Sequence, residues 1–600
     1  MIILEAVESY WAQITRLIGG YPKKRLLIPL AVGILLIRIG RGYCARTYLL
    51  NKLRWKKQQL AAAIEAVRHD VQTSPINPSI VAELTKLTLA DLRQRLEDGR
   101  LTSTQLLHAY QTKALQIFDR GNSGICEFVG GAQLWAIARD HSKPNSVHSP
   151  LYGIPVSVKE SLCVAGYDST FGLVKRSNRP VMRDCVMVRV LKDVGAIPFV
   201  LTSTTLTGRS MEGINSIFGD VTNPYNRSRM TGGSSCGECA LLAQGGSPVG
   251  LASDTAGSIR IPAAFCGLTS LKPTLNRLSS KGMTNMGENS ILGIATVPGP
   301  IGRRVSDVVD CMRSVLSSAL FAADPCVPPL FFDEAAYSEK KSLCIGYYDT
   351  FADPGMVQAV PAVRDAVTQA VSLLERGGHR MVKFQPPNQL KAARLLVQIL
   401  FGDGGHDLKS MLAHEPTRDS QTQLLMYALS LPQWLKVTGD MLLALIGARP
   451  AAVVHALGGA RTAQGAIDML RALENYRTEF TEAWNKLGPL DALICPVFPY
   501  PAPPSSTRPI FISCAMLYPG LYNLVNYPAG TVPMGTVSQE QVEQTIKNCK
   551  AGWFEEHWLD CQIAKFQADS EGLPLSIQVV GKPYCEETVL RIMRELESSQ

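Results

Sequence analysis

Charge is scarce in this chain. Only 18% of its 600 residues are Asp, Glu, Lys or Arg while 46% are hydrophobic, a balance that excludes an intrinsically disordered polypeptide. The formal net charge of +9 is small for the length, and no nucleic-acid-binding motif accompanies it. No nucleic-acid partner is therefore expected, and the sign suits an anionic membrane surface equally well. No cluster with metal-ligand spacing stands out, so neither a metal nor another cofactor is expected. No internal repeat is visible. The fifteen cysteines are odd in number and irregularly spaced, which points to reduced thiols and an intracellular active domain.

Long apolar runs are also in short supply. Residues 26–37 (LLIPLAVGILLI) fall short of the roughly twenty residues that a spanning helix prefers. Lys23, Lys24 and Arg25 precede the run, and Arg38, Arg41 and Arg46 follow it. Tyr21 and a snorkelling Arg38 extend its reach. An N-terminal anchor, single-pass or interfacial, is expected in preference to a buried helix or a cleaved signal peptide. Residues 51–71 continue as a basic helix in which Lys52, Arg54, Lys56 and Lys57 lead into Leu60, Ile64 and Val67; its charges are expected to face solvent or a membrane. The linker Ser74-Pro75-Ile76-Asn77-Pro78 closes this N-terminal region at residue 75. Residues 76–600 form the remaining domain, opened by two helices capped at Thr88 and Thr102.

What the sequence has in abundance is glycine and serine, concentrated in residues 231–267 (TGGSSCGECALLAQGGSPVGLASDTAGSIRIPAAFCG). Glycine permits positive φ, and consecutive N–H groups in such a turn form an anion-binding concavity. The strand-like Val249-Gly250-Leu251-Ala252-Ser253 runs into Asp254-Thr255-Ala256-Gly257-Ser258. Ser258 is thereby placed as a nucleophile whose own loop can catch an oxyanion. A base is available upstream. Residues 151–160 (LYGIPVSVKE) read as an apolar strand ending in Lys159, and burial favours the neutral amine. Gly233-Ser234-Ser235-Cys236-Gly237 also matches the G-x-S-x-G elbow, but its polar, loop-like lead-in (residues 223–229) makes that match coincidental.

The stretches GIPVSVKES, TGGSSCGE and SDTAGSIRIPAAFCGLTSLKPT resemble the amidase-signature family of Ser-Ser-Lys hydrolases. The likeness runs from about Leu87 to the C-terminus and is strongest to the fatty acid amide hydrolases. It implies an α/β amidase-signature fold, a twisted mixed central sheet covered by helices on both faces. It further implies Ser258 as nucleophile, Ser234 as bridging serine and Lys159 as general base. The N–H groups of Thr255, Ala256, Gly257 and Ser258 would form the oxyanion hole, with Ser234 beside the substrate and Ser235 supporting the lysine.

A second apolar region, residues 429–457, reads as two short helices broken at Gly447-Ala448-Arg449-Pro450, with Lys436, Arg449 and Arg461 among the apolar residues. That is the composition of an interfacial helix pair, and the alternative is a buried hairpin. By resemblance it is the membrane cap beside the acyl-chain entrance, with Phe401 in the acyl channel. The substrates implied are long-chain N-acylethanolamines and primary fatty amides. A membrane partner, a homodimer and an endomembrane such as the endoplasmic reticulum go with that reading. A hydrolase of small amides, an amidotransferase A-type subunit and a non-catalytic docking homologue remain as alternatives. Pro501-Ala502-Pro503-Pro504 fits a PxxP pattern but reads as a rigid surface loop.

Overall fold

The computed structural model describes residues 24–73, 75–142, 149–284, 293–416, 419–445, 454–460, 462–488, 490–550 and 558–600. Among these residues, eleven strands join in one sheet, in the order β1-β3-β2-β4-β6-β5-β10-β11-β9-β7-β8. The first six are β1 (Ile125–Phe128), β2 (Pro155–Lys159), β3 (Ile197–Thr202), β4 (Val249–Asp254), β5 (Thr269–Lys272) and β6 (Val297–Gly302). The other five are β7 (Cys344–Tyr347), β8 (Arg380–Lys383), β9 (Ala492–Pro496), β10 (Ala529–Thr536) and β11 (Pro574–Gly581).

β2 lies parallel to β3 and β4, and β7 parallel to β8 and β9; between these groups, β6, β5, β10 and β11 pair antiparallel. The sheet is therefore mixed, as expected. β2, β3, β4, β6, β9 and β11 are buried at every residue. Alternate side chains of a strand point to opposite faces, so such strands are covered on both.

The first helix among the described residues corrects the sequence reading. Residues 24–73 form one continuous helix, α1 (Lys24–Thr73), of 50 residues; the apolar run and the basic segment are not separate elements. No helix among the described residues is long and apolar enough to cross a membrane. The basic segment does not present all its charges to solvent or lipid. Lys56 is buried and pairs with Glu127 at 2.6 Å and Asp168 at 2.8 Å, while Lys52 Nζ donates to the Lys175 carbonyl at 2.9 Å. Leu49, Leu60 and Ile64 are buried beside them. Two carboxylates on distant segments need a cation when they leave water, and the helix supplies it.

α2 (Leu89–Glu97) and α3 (Ser103–Asp119) open on capping boxes at Thr88 and Thr102, as the sequence anticipates. α4 (Val186–Asp193) leads into β3, α5 (Cys236–Ala243) precedes β4, and α6 (Arg260–Phe265) follows it. Further along come α7 (Gln389–Leu400), α8 (Ser420–Ser430) and α9 (Gln433–Leu445). The break expected at residues 447–450 lies outside the described residues, as do residues 451–453 and Arg461; of the second helix expected to follow it, residues 454–458 form a single turn of 3-10 helix, Val454–Gly458. Residues 501–504 are not a surface loop. Ala502 is fully buried, and its carbonyl accepts from the buried Arg229 at 3.0 Å.

Candidate active site

Parallel pairing of β2 with β4 sets Ser157 against Gly250 and Val158 against Leu251. The C-terminal ends of the two strands, Lys159 and Asp254, therefore open on the same edge of the sheet. Ligands of α/β proteins bind outside the carboxyl ends of parallel strands, and the glycine-serine segments converge there.

Lys159 is 1% exposed. Its Nζ donates to Ser234 Oγ at 2.8 Å, Ser235 Oγ at 3.0 Å and the Ser253 carbonyl at 3.5 Å. Burial, the largest influence, lowers its pKa to about 8, against the opposing pull of Cys236, Asp254, Cys239 and Glu160. The amine thus titrates close to neutrality. Ser234 and Ser235 are buried in the turn ahead of α5, after a cis Gly233–Ser234 peptide. No strand leads into Ser235, which bears out the rejection of the elbow motif.

Ser258 is half-buried in the turn after β4. The backbone bond from Ser235 N–H to the Ser258 carbonyl, at 3.2 Å, joins the two segments. No hydrogen bond links Ser258 Oγ to Ser234 Oγ among the described residues; in unliganded enzymes such bonds commonly tighten only on substrate binding.

The turn is shaped from below by a carboxylate that the motifs alone do not single out. Asp254 accepts from Gly257 N–H at 2.7 Å, Ile259 N–H at 3.1 Å, Arg260 Nε at 3.1 Å and Asn523 Nδ2 at 3.0 Å. Gly257 adopts φ +109°, and a Cβ there would stand 2.6 Å from Pro519, so only glycine fits. Its N–H is committed to Asp254. The N–H groups of Thr255, Ala256 and Ser258 have no acceptor among the described residues.

Burial alone would raise the Asp254 pKa, but Arg260 and the turn N–H groups outweigh it and hold the carboxyl well below the usual range. Arg260, fully buried, also donates to Gln578 and Asn523. Asp254→Asn leaves this guanidinium without its counter-charge. It is expected to cost about 3 kcal/mol of stability or more, read by urea unfolding; an unchanged midpoint would show that the amides suffice.

Beneath Lys159, Glu238 of α5 accepts from Ser157 of β2 and, at 2.5 Å, from Thr202 of β3. It ties the serine-bearing segment to the lysine-bearing strand. Cys236 and Cys239 have a C-x-x-C spacing within the serine-rich stretch. Both are fully buried, and burial pushes the Cys236 thiol up to about 12.

Ser258 opens into a cavity of about 300 Å³. Gly233, Thr255 and Ala256 line it with Ser258, as do Leu396, Leu400, Phe401, Leu425 and Met516. Phe401, assigned to the acyl channel by resemblance, is one of these lining residues. Lys159, Ser234 and Ser235 meet directly, and Ser258 meets them through the backbone.

The sequence profile of the amidase family matches residues 105–590. The chain belongs to the amidase family. The amidase is 35% identical over 569 residues to fatty-acid amide hydrolase 1 of Sus scrofa, covering 93% of this chain and 92% of that protein. It is 33% identical over 521 residues to fatty acid amide hydrolase 1 of Caenorhabditis elegans, covering 85% and 88%. A solved structure of fatty acid amide hydrolase shares the amidase's fold with a TM-score of 0.74 at 21% identity, over 92% of this chain and 95% of that one.

Proposed function

We propose that this amidase hydrolyses long-chain fatty acid amides, N-acylethanolamines and primary amides among them, through a Ser258–Ser234–Lys159 relay. The observation that carries the reading is a buried lysine bonded to Ser234 beside a serine that opens into an apolar cavity. Neutral Lys159 draws a proton from Ser234 as Ser234 takes one from Ser258, whose Oγ attacks the amide carbonyl. The free N–H groups of Thr255, Ala256 and Ser258 receive the oxyanion. Gly257, its own N–H facing Asp254, contributes the turn. The proton returns through Ser234 to the departing amine, which leaves poorly unprotonated. Ser235 holds the lysine amine in line. Water then releases the fatty acid from Ser258.

Exposed apolar residues are found on the helices that wall the cavity and on the helix that follows them. Leu424 of α8 lines the cavity and is exposed, and Tyr427 of α8 and Trp434, Met441 and Leu442 of α9 are exposed as well. Exposed Ile34, Leu36, Ile37 and Ile39 add a second apolar surface on α1. These faces suit interfacial attachment to a membrane through which the lipid enters. Lys436, one of the cations read as part of an interfacial helix pair, is buried, with Nζ donating to the Leu429 carbonyl at 3.4 Å. Paired substitution Trp434→Asp and Met441→Asp is expected to lower binding to phosphatidylcholine/phosphatidylserine vesicles by about tenfold or more. Unchanged co-sedimentation would remove the cap from the account.

The substrate class is tested by hydrolysis of an acyl-amide series from acetamide to oleamide. Activity should rise steeply with chain length, and equal activity across the series would favour the small-amide reading.

A further inference from the structure

The cavity that Ser258 opens into is largely apolar, and its other uncharged oxygen- and nitrogen-bearing side chains are engaged with one exception. Ser210 Oγ accepts from Glu212 N–H at 3.1 Å, Thr255 Oγ1 shares a bond of 2.8 Å with Thr296 Oγ1, and Ser513 Oγ donates to the Pro509 carbonyl at 3.1 Å. The exception is Gln421. On α8 it shares one face with Leu424, Leu425 and Ala428, which line the cavity with it at helical spacing. Its side chain is buried, and Oε1 accepts from Met211 N–H at 2.8 Å. A backbone N–H can only donate, so the carbonyl end of the amide faces Met211 and both hydrogens of Nε2 are left over. Nε2 donates to no group among the described residues and is not sealed from solvent.

This donor is held near the reacting bond. Glu212 accepts from the N–H groups of Ser420 and Gln421 at 3.0 and 2.9 Å, which docks the first turn of α8 on the segment that carries Met211. A Cβ on Gly233 would lie 3.0 Å from the Met211 Cα. Gln421 Oε1 therefore lies within about 9 Å of the Gly233 Cα, and Gly233 directly precedes Ser234. The amide thus belongs to the reacting end of the cavity, within reach of a leaving amine or of the first carbons of an acyl chain. A hydrocarbon laid over the donor would deprive it of water and return nothing, whereas a ligand oxygen restores the bond.

We propose that Gln421 selects amides that carry an acceptor oxygen close to the scissile bond, and that its Nε2 donates to that oxygen. The inference rests on the assignment of the Ser258 cavity as the lipid-amide site. The oxygen has two sources, the leaving amine, as in an ethanolamine hydroxyl, or the acyl chain beside the carbonyl, and the bond to Gln421 is common to both.

The test measures kcat/KM of the full-length protein for two matched pairs of long-chain amides, in each of which an ether oxygen replaces one CH2 group. One pair differs on the amine side, N-(2-methoxyethyl) against N-butyl. The other differs at the third position of the acyl chain, a 3-oxa primary amide against its parent. An ether oxygen can only accept, so it reports on the Nε2 donor alone. Wild type is compared with Gln421→Met and Gln421→Leu, which keep a side chain of similar size and remove the donor. The ratio of ether to hydrocarbon within a pair is the readout, because a general loss of folded enzyme cancels in it. For at least one pair that ratio is expected to be roughly ten-fold higher in wild type than in either variant, the size of a hydrogen bond between neutral groups. The pair that shows the drop identifies which side of the amide Gln421 reads. Ratios that are equal in wild type and both variants would assign Gln421 to holding Met211 and overturn the proposal. So would variants that hydrolyse none of the four amides while wild type hydrolyses them, since the residue would then serve the wall as a whole. If wild type hydrolyses acetamide and none of the long-chain amides, the lipid-amide assignment itself fails, and this proposal with it.

Discussion

Ser258→Ala is expected to abolish covalent labelling by a fluorophosphonate and to lower amide hydrolysis by about a thousandfold or more. The size follows from removing the atom proposed to form the acyl-enzyme, which leaves binding and the oxyanion donors to act on water. The fold is expected to tolerate the change. Ser258 is half-buried and its turn is set by Asp254, Gly257 and Arg260, not by its hydroxyl. Labelling that persists in Ser258→Ala would move the nucleophile elsewhere, with Ser234 the nearest hydroxyl on the relay.

Lys159→Met is expected to reduce hydrolysis by a similar factor without weakening the fold. Between the folded-state pKa of about 8 and the unfolded value of about 10.4, the unfolded chain binds the extra proton, so stability rises with pH across that window. Below it the lysine is charged in both states, and its burial works against folding by an amount on the order of 3 kcal/mol. Methionine removes that cost and leaves the Ser234 and Ser235 hydroxyls without their nitrogen partner, two opposing effects. Unfolding free energy at pH 7 should therefore stay near that of wild type while activity is lost. A variant that loses both together would mark Lys159 as a structural residue.

The parts of the fold that the sequence reveals are those fixed by local pattern. β2, β3, β4, β7, β9 and β11 follow apolar runs bounded by turns, and the caps at Thr88 and Thr102 need only residues three positions apart. β6 is hidden, because its sequence VPGPIG reads as a loop. It becomes a strand only because β4 and β5 flank it on both edges, a tertiary effect that overrides propensity. The docking of α1 is equally hidden, since Lys56 meets Glu127 and Asp168 from distant parts of the chain.

At the site, Lys159, Ser234, Ser235 and Ser258 are legible because their motifs are long and their neighbours specific. Asp254 and Arg260 bracket the glycine turn in plain view, but their role depends on Asn523 and Gln578, which no local pattern connects to them. Gln421 carries no sequence signal at all. It is one polar residue in the first turn of α8, and only the docking of that turn on Met211 and Glu212 makes it part of a cavity wall.

A neutral Lys159 is the centre of the proposed mechanism, and the pH dependence of fluorophosphonate labelling reads it most directly. The second-order labelling rate of the wild-type protein should rise from about pH 6 to about pH 9 with a single apparent pKa near 8, as Lys159 gives up its proton. In Lys159→Met that limb should vanish and leave a slow residual rate. A wild-type profile that stays flat over this range, or the same rising limb in Lys159→Met, would contradict the assignment of Lys159 as the base.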